Sequence, residues 1–275
     1  MIKRILVGLA GTDYTEVAVR RAVDLARIHS AEITGVTVMD PRTLHMQAVP
    51  IGAGAAAEDL RRHRSELTSE RIDWAVSSFE AICETEGVPF QTRREEGNPF
   101  TLMKRLARFH DLTIFGLRSV FEYYYNDSDS SAFLSRLLSQ GIGPIMAVST
   151  QYNPIRRVLL AYSGSMESAN TIRCFLQSPP WPDVTIKAVT FGPETEEAKA
   201  DLQEVVDYAR ACGLTIQSEY LHASPASGLL KHAEDWDANL IVLGNCMGGV
   251  FRRRGFGNTV LSLIKNADRP LLMSH

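Results

Sequence analysis

At 275 residues, with 45% apolar and 22% charged and a formal net charge of −3, the chain is large enough for about two globular domains, which excludes collagen-like, low-complexity and intrinsically disordered classes. So small a net charge makes nucleic acid an unexpected partner. No apolar run approaches the roughly 20 residues of a membrane-spanning helix.

The opening MIKRILVGLAG is too short an apolar stretch for a signal peptide and reads as a strand over Ile5–Leu9, which points to a cytoplasmic protein. An amphipathic helix follows. Val17, Val19, Ala22, Val23, Ala26 and Ile28 form its apolar stripe, and Arg20, Arg21, Asp24 and Arg27 are expected outside it. After a second strand near Ile33–Thr37 comes a Gly/Ala-rich stretch and a long charged helix around Glu58–Glu86. Continuously apolar strands then recur at Leu112–Phe115, Ile145–Val148, Leu240–Leu243 and Leu271–Met273, the pattern of parallel strands buried on both faces. The four cysteines, Cys83, Cys174, Cys212 and Cys246, show no CxxC or metal-ligand spacing and are expected as buried thiols, Cys246 being the one in a plausibly reactive setting. The seven histidines form no ligand motif and read as packing or surface residues.

These elements repeat. Lys3-Arg4-Ile5-Leu6-Val7-Gly8-Leu9-Ala10-Gly11-Thr12 aligns without gaps on Arg156-Arg157-Val158-Leu159-Leu160-Ala161-Tyr162-Ser163-Gly164-Ser165, an offset of 153 residues that also places Ile33–Thr37 on Ile186–Thr190. Further on, the offset falls to 126 (Gly87 and Gly213, Pro99 and Pro225) and 128 (Leu112–Gly116 and Leu240–Gly244), so the first copy carries an insertion that includes about residues 44–66. The reading is two copies of one unit, residues 1–152 and 153–275, joined near Gln151–Pro154. Each copy alternates five strands with four helices, the order of a doubly wound α/β sheet whose ligand crevice lies at the carboxyl ends of the strands beside the switch in strand order.

One passage suggests chemistry. After Leu243 the chain reads Gly244-Asn-Cys-Met247-Gly248-Gly249-Val-Phe-Arg-Arg-Arg-Gly-Phe-Gly257-Asn258-Thr259 and continues as a helix. Glycines let the backbone come close to a ligand, and free amides at a helix start beside Asn and Thr side chains form a phosphate cradle. The spacing is neither a Walker A loop nor GxGxxG. Arg252, Arg253 and Arg254 within it serve equally as phosphate partners or as a solvated basic turn.

This passage and the two strand–turn openings, ILVGLAGT and VLLAYSGS, resemble the universal stress protein family in its tandem-domain form, and the resemblance covers the whole chain. It implies two universal stress domains forming an internal pseudo-dimer, with the last strands of the two copies meeting, and ATP or a related adenine nucleotide as ligand, with or without Mg²⁺. In the family's loop pattern G-x2-G-x9-G-[ST], Gly244 and Gly257 take the first and last glycine positions, Met247 stands at the second with Gly249 close after it, and Asn258, followed by Thr259, stands at the Ser/Thr. The family's acidic nucleoside contact becomes Ser163, preceded by Ala161 and Tyr162, and its apolar residue ending the second strand becomes Phe191. Met247 adds a side chain where the backbone should approach, and Ser163 replaces a carboxylate acceptor with a hydroxyl.

The first copy departs further. Ala10 stands at the acidic position, and Gly116 is followed by Leu117-Arg118-Ser119 with no later Gly-Ser or Gly-Asn pair. Tyr123–Tyr125 are expected to pack against the neighbouring copy, and Asp127 and Asp129 to lie in a solvated turn. The expected function is a stress-response binding and regulatory module whose second copy takes the nucleotide. Two alternatives stay open: a scaffold with both sites degenerate that binds another metabolite or a partner protein, and a nucleotide hydrolase, for which the sequence offers no positioned base. The inserted helix gives whole chains a surface for homodimerisation.

Overall fold

Alternating strands and helices follow one another from end to end of the computed structural model, which describes residues 1–40, 54–118, 121, 130–192, 195–244 and 257–274. In the first half these are β1 (Arg4–Gly8), α1 (Asp13–His29), β2 (Glu32–Met39), α2 (Gly54–Glu86), β3 (Phe90–Glu96), α3 (Pro99–Leu106), a 3-10 turn (Ala107–Phe109), β4 (Leu112–Gly116), α4 (Ser130–Ser139) and β5 (Ile145–Val148). The second half repeats the order with β6 (Arg157–Ala161), α5 (Met166–Gln177), β7 (Thr185–Phe191), α6 (Glu196–Ala211), β8 (Gln217–Leu221), α7 (Pro225–Asp235), β9 (Leu240–Gly244), α8 (Gly257–Asn266) and β10 (Leu271–Ser274). The insertion lengthens α2 to 33 residues against 16 in α6.

All ten strands form one sheet, in the order β3-β2-β1-β4-β5-β10-β9-β6-β7-β8. Within each half every pairing is parallel, and the halves meet where β5 and β10 run antiparallel, Leu271 opposite Ala147 and Met273 opposite Ile145. This is the internal pseudo-dimer implied by the two copies. In each half the strand order reverses beside the first strand, between β1 and β4 and between β6 and β9. The central strands β4, β5 and β9 are buried throughout, whereas the outer strands β3 and β8 are half exposed and polar, so continuous apolarity belongs to the middle of the sheet alone.

Equivalent residues make equivalent contacts. Asp111 accepts from the amides of Lys3 and Arg4 at 2.7 and 2.9 Å, and Asn239 accepts from those of Arg156 and Arg157 at 3.1 and 3.0 Å. Leu9 donates to the Val36 carbonyl and Tyr162 to that of Val189, each at 2.8 Å. The turns after β1 and β6 bend through Gly11 and Gly164, at φ of +66° and +73°, the left-handed region that glycine enters without steric cost.

Four side chains differ from the sequence reading. Arg21, expected in solvent, is 1% exposed: its Nη2 donates to the Asn153 carbonyl at 2.6 Å, the Tyr152 ring lies 4.7 Å away, and Asp24 stands at 3.6 Å. The segment joining the halves covers that face of α1, and burial holds the guanidinium below its ordinary pKa against the pull of Tyr152 and Asp24. Ile28, near the end of α1, is 45% exposed and lines a hollow beside Tyr152 and Pro154. Among the thiols, Cys83 is buried, with its pKa pushed up to about 12 by desolvation and then by Glu80, but Cys174 is exposed and Cys212 half-buried. Cys246 lies outside the described residues.

His110 is a packing residue. Its Nδ1 donates to the Leu106 carbonyl at 2.7 Å, and its Nε2 lies 3.0 Å from the hydroxyl of buried Thr34. Burial lowers its pKa below the ordinary 6.5, opposed by the bond to Leu106. The folded protein therefore disfavours protonation more than the unfolded chain does, so the contribution of His110 to stability is complete above pH 6.5 and is lost as pH falls below it. His110→Gln, which keeps a donor for Leu106, should flatten the fall in melting temperature between about pH 7 and about pH 5.5. Parallel wild-type and variant curves would count against this account.

Candidate functional site

The carboxyl ends of β6, β7 and β9 bound a cleft beside the strand-order reversal of the second half. Ala161 ends β6 opposite Leu243 of β9, Phe191 ends β7, and Tyr162 and Ser163 continue from β6 into the turn. Gly244 completes the floor. These six residues, singled out in the sequence, share one wall-to-wall contact around a cavity of about 30 Å³, room for two or three waters at about 10–15 Å³ apiece.

Five further residues line it that the sequence reading did not place at the site. Pro225 and Leu229 come from one face of α7, Val260 and Leu263 from one face of α8, and Ser168 from the first turn of α5. The first two pairs lie four and three residues apart on helices, the spacing that brings side chains to one surface, and the match of Pro99 to Pro225 marked where α7 starts. Periodicity alone could have proposed them as an inward face but not as cleft lining.

Among the described residues no charged side chain lines the cavity. Its side-chain polar groups are the Tyr162 hydroxyl and the hydroxyls of Ser163 and Ser168, the two serines lying 3.0 Å apart, with Ser165 3.0 Å from Ser163 and capping α5 through the Ser168 amide at 3.1 Å. Gly244 is required by close approach, since a Cβ there would sit 2.5 Å from the Ser168 amide nitrogen and 2.6 Å from the Glu167 carbonyl. The Tyr162 hydroxyl has its pKa raised, first by burial and then by Asp201 and Glu204 of α6. Phe191 lies against α7 at Gly228, where a Cβ would come within 3.0 Å of its ring.

Gly257 opens α8, and Asn258 and Thr259 occupy its first turn, with only their backbone described. Met247 and Gly249 lie outside the described residues, as do Arg252–Arg254, Tyr123–Tyr125, Asp127 and Asp129. Among the described residues no group of three or more His, Cys, Asp or Glu is placed to hold a metal ion, and no helix is long and apolar enough to cross a membrane.

In the first half the matching strand ends carry rings. Phe115, the counterpart of Leu243, lies directly over Gly8, the counterpart of Ala161: a Cβ on Gly8 would be 2.5 Å from the ring. Phe115 packs edge-on against Phe121 and Phe133, with centroids 6.2 and 6.4 Å apart, and Phe100 packs on Phe133 at 6.2 Å. Both Phe115 and Phe121 are 1% exposed. Two hollows larger than the cleft, about 420 and 340 Å³, flank Tyr152. The cations on their walls already face carboxylates, Arg20 with Glu16, Arg27 with Glu86 and Arg21 with Asp24, so they present no uncommitted charge to a ligand.

A model of the universal stress protein family matches residues 1–114 and 171–275 of the chain. A universal stress protein of Synechocystis sp. is 21% identical over 98% of this chain and 99% of its own length. Among solved structures, a universal stress protein from Archaeoglobus fulgidus DSM 4304 is similar with a TM-score of 0.69 at 16% identity, covering 98% of this chain and 95% of that one. A functionally unknown protein from Pseudomonas aeruginosa PAO1 is similar with a TM-score of 0.58 at 14% identity, covering 99% and 92%. At such identities the structural likenesses speak for the fold.

Proposed function

This chain belongs to the universal stress protein family, and from that premise we propose that it is a stress-response binding and regulatory module, dividing at residues 152 and 153, whose second half takes an adenine nucleotide, ATP foremost. The observation that carries the reading is the convergence of Ala161, Tyr162, Ser163, Phe191, Leu243 and Gly244 on one apolar cleft at a strand-order reversal, with α8 beginning at Gly257 from the glycine-rich loop that leaves the same strand end. Apolar walls and an aromatic ring suit a purine, and the free amides at the start of α8 suit its phosphates. Ser163, Ser168 and the Tyr162 hydroxyl supply neutral hydrogen-bonding groups for a ribose. Among the described residues the first half offers no such slot, because Phe115 and its neighbours pack over the strand ends a base would need.

Isothermal titration with ATP, run with and without Mg²⁺, tests this. Wild-type protein should bind one nucleotide per chain. Gly257→Val should weaken binding by more than about tenfold by crowding the phosphates, with no loss of fold, since valine suits a helix at least as well as glycine. Ser135→Ala, which removes a buried hydroxyl in the first half that has no partner among the described residues, should leave affinity unchanged. Absence of binding by the wild type, or equal losses from both variants, would overturn the assignment. Release of phosphate over many turnovers would instead favour a hydrolase.

A further inference from the structure

One side chain of the first half reaches the helix on which the second half's site depends. Arg118 follows Gly116 and Leu117 at the end of β4, the place where the second half sends out its glycine-rich loop. Its Nη1 donates to the carbonyls of Lys265 and Ala267 at 2.6 and 3.2 Å, and its Nε donates to the Tyr14 hydroxyl in the first turn of α1 at 3.2 Å. Lys265 lies in the last turn of α8, and Ala267 follows its end. The helices α4 and α8 pack on each other across the pseudo-twofold axis, so Arg118 bridges the mouth of the first crevice and the carboxyl end of α8.

We infer that Arg118 is a positioning residue for the nucleotide site of the opposite half: by fixing the carboxyl end of α8 it fixes the direction in which the amino end presents its amides to phosphate. Three physical points carry this. Carbonyls at the carboxyl end of a helix have no partner within the helix, and Arg118 Nη1 donates to two of them, Lys265 in the last turn and Ala267 just beyond it. Its positive charge also sits at the negative end of the helix dipole. Finally, α8 runs unbroken from Gly257 to Asn266, so the direction of its axis at the carboxyl end sets where its amino end lies. Arg118 holds the end remote from the ligand. Tyr14 on its other side makes the conformation of Arg118 depend on the first half, which gives that half a role in nucleotide binding without a nucleotide of its own.

The inference rests on the proposed binding of ATP by the second half, and its test separates the two. Hydrogen exchange of the α8 amides in the ligand-free protein should speed up about two- to fivefold in Arg118→Ala and recover in part in Arg118→Lys, which keeps the charge but not the separate nitrogens that reach α8 and Tyr14. ATP affinity at low salt should fall by about the same two- to fivefold, while adenosine, which meets α8 through Val260 and Leu263 alone and has no phosphate, should lose less. Unchanged exchange in α8 would overturn the positioning role whatever ATP does. Equal losses for ATP and adenosine would overturn it too, by showing a general loosening of the second half. Altered α8 exchange in a protein whose wild type binds no ATP would support the link between Arg118 and α8 and sink the nucleotide reading alone.

Discussion

Leu271→Asp is expected to lower the stability of the protein by more than about 4 kcal/mol and to expose an associating sheet edge. Leu271 is fully buried in β10, the strand shared by the two halves, with Ile241 of β9 on one side and Ala147 of β5 on the other. Burial of a leucine side chain contributes about 1.5–3 kcal/mol, and a carboxyl with no hydrogen-bonding partner in the same place adds a desolvation cost of several more. Both neighbours are apolar and fully buried, so the acid has nothing to meet. A domain has only about 5–15 kcal/mol in hand, so the variant should unfold at much lower denaturant and, where β5 and β10 part, present two apolar strands as unpaired edges. Urea unfolding followed by light scattering reads both effects. A loss below about 1 kcal/mol with a monodisperse monomer would mean that the antiparallel seam does not hold the halves together.

The same seam explains why duplication yields one molecule. A single copy ending in Ile145–Val148 or Leu271–Ser274 leaves amides and carbonyls of an apolar strand open to any other chain, and joining two copies closes both edges on each other. The strands left at the outside are β3 and β8, whose sequences FQTRREE and QSEYL carry charges that oppose edge-to-edge pairing. Apolar strands lie inside the sheet and polar ones at its rims because the seam was supplied from within the chain.

Much of this was readable in the sequence for a physical reason: repetition doubles each signal. The offset of 153 residues predicted that β1 and β6 would sit alike, and the paired amide bonds to Asp111 and Asn239 show the two copies solving the same strand-start problem with an aspartate in one and an asparagine in the other. Periodicity failed where burial depends on a partner distant in sequence. Arg21 has the wrong chemistry for a core, and only the return of Asn153, 132 residues later, covers it. The cleft lining contributed by Pro225, Leu229, Val260 and Leu263 was hidden for a related reason, since an apolar face on a helix looks the same whether it meets a packed sheet or a gap in one. Phe115 is a further case. In sequence it is one more apolar strand residue, and its position over Gly8 follows from the absence of a Cβ there, which a reading of glycines as turn-formers passes over.

Gly244→Val should cost about 3 kcal/mol and remove ligand binding together, unlike Gly257→Val, which should remove binding alone. Gly244 is the last residue of β9, in register with Ser274 of β10, and lies where the first turn of α5 crosses the sheet end. Even the first carbon of a side chain would stand 2.5–2.6 Å from the Ser168 nitrogen and the Glu167 carbonyl group, about 1 Å inside normal contact at about 3.5–4.0 Å. Those atoms belong to helix backbone, so no rotamer relieves the clash and α5 itself has to move, carrying Ser165 and Ser168 away from the cleft. Gly8 provides the contrast. The atoms its Cβ would meet belong to the Phe115 ring, and the second half already combines an alanine with a leucine at these two places. Gly8→Ala should therefore be destabilising alone and recover most of its loss in combination with Phe115→Leu, whereas no exchange at a neighbouring side chain should rescue Gly244→Val. Thermal unfolding of the single variants and of the Gly8–Phe115 pair decides it: if Gly244→Val melts within about 2 °C of the wild type, the crossing of α5 over the end of β9 is looser than these distances require.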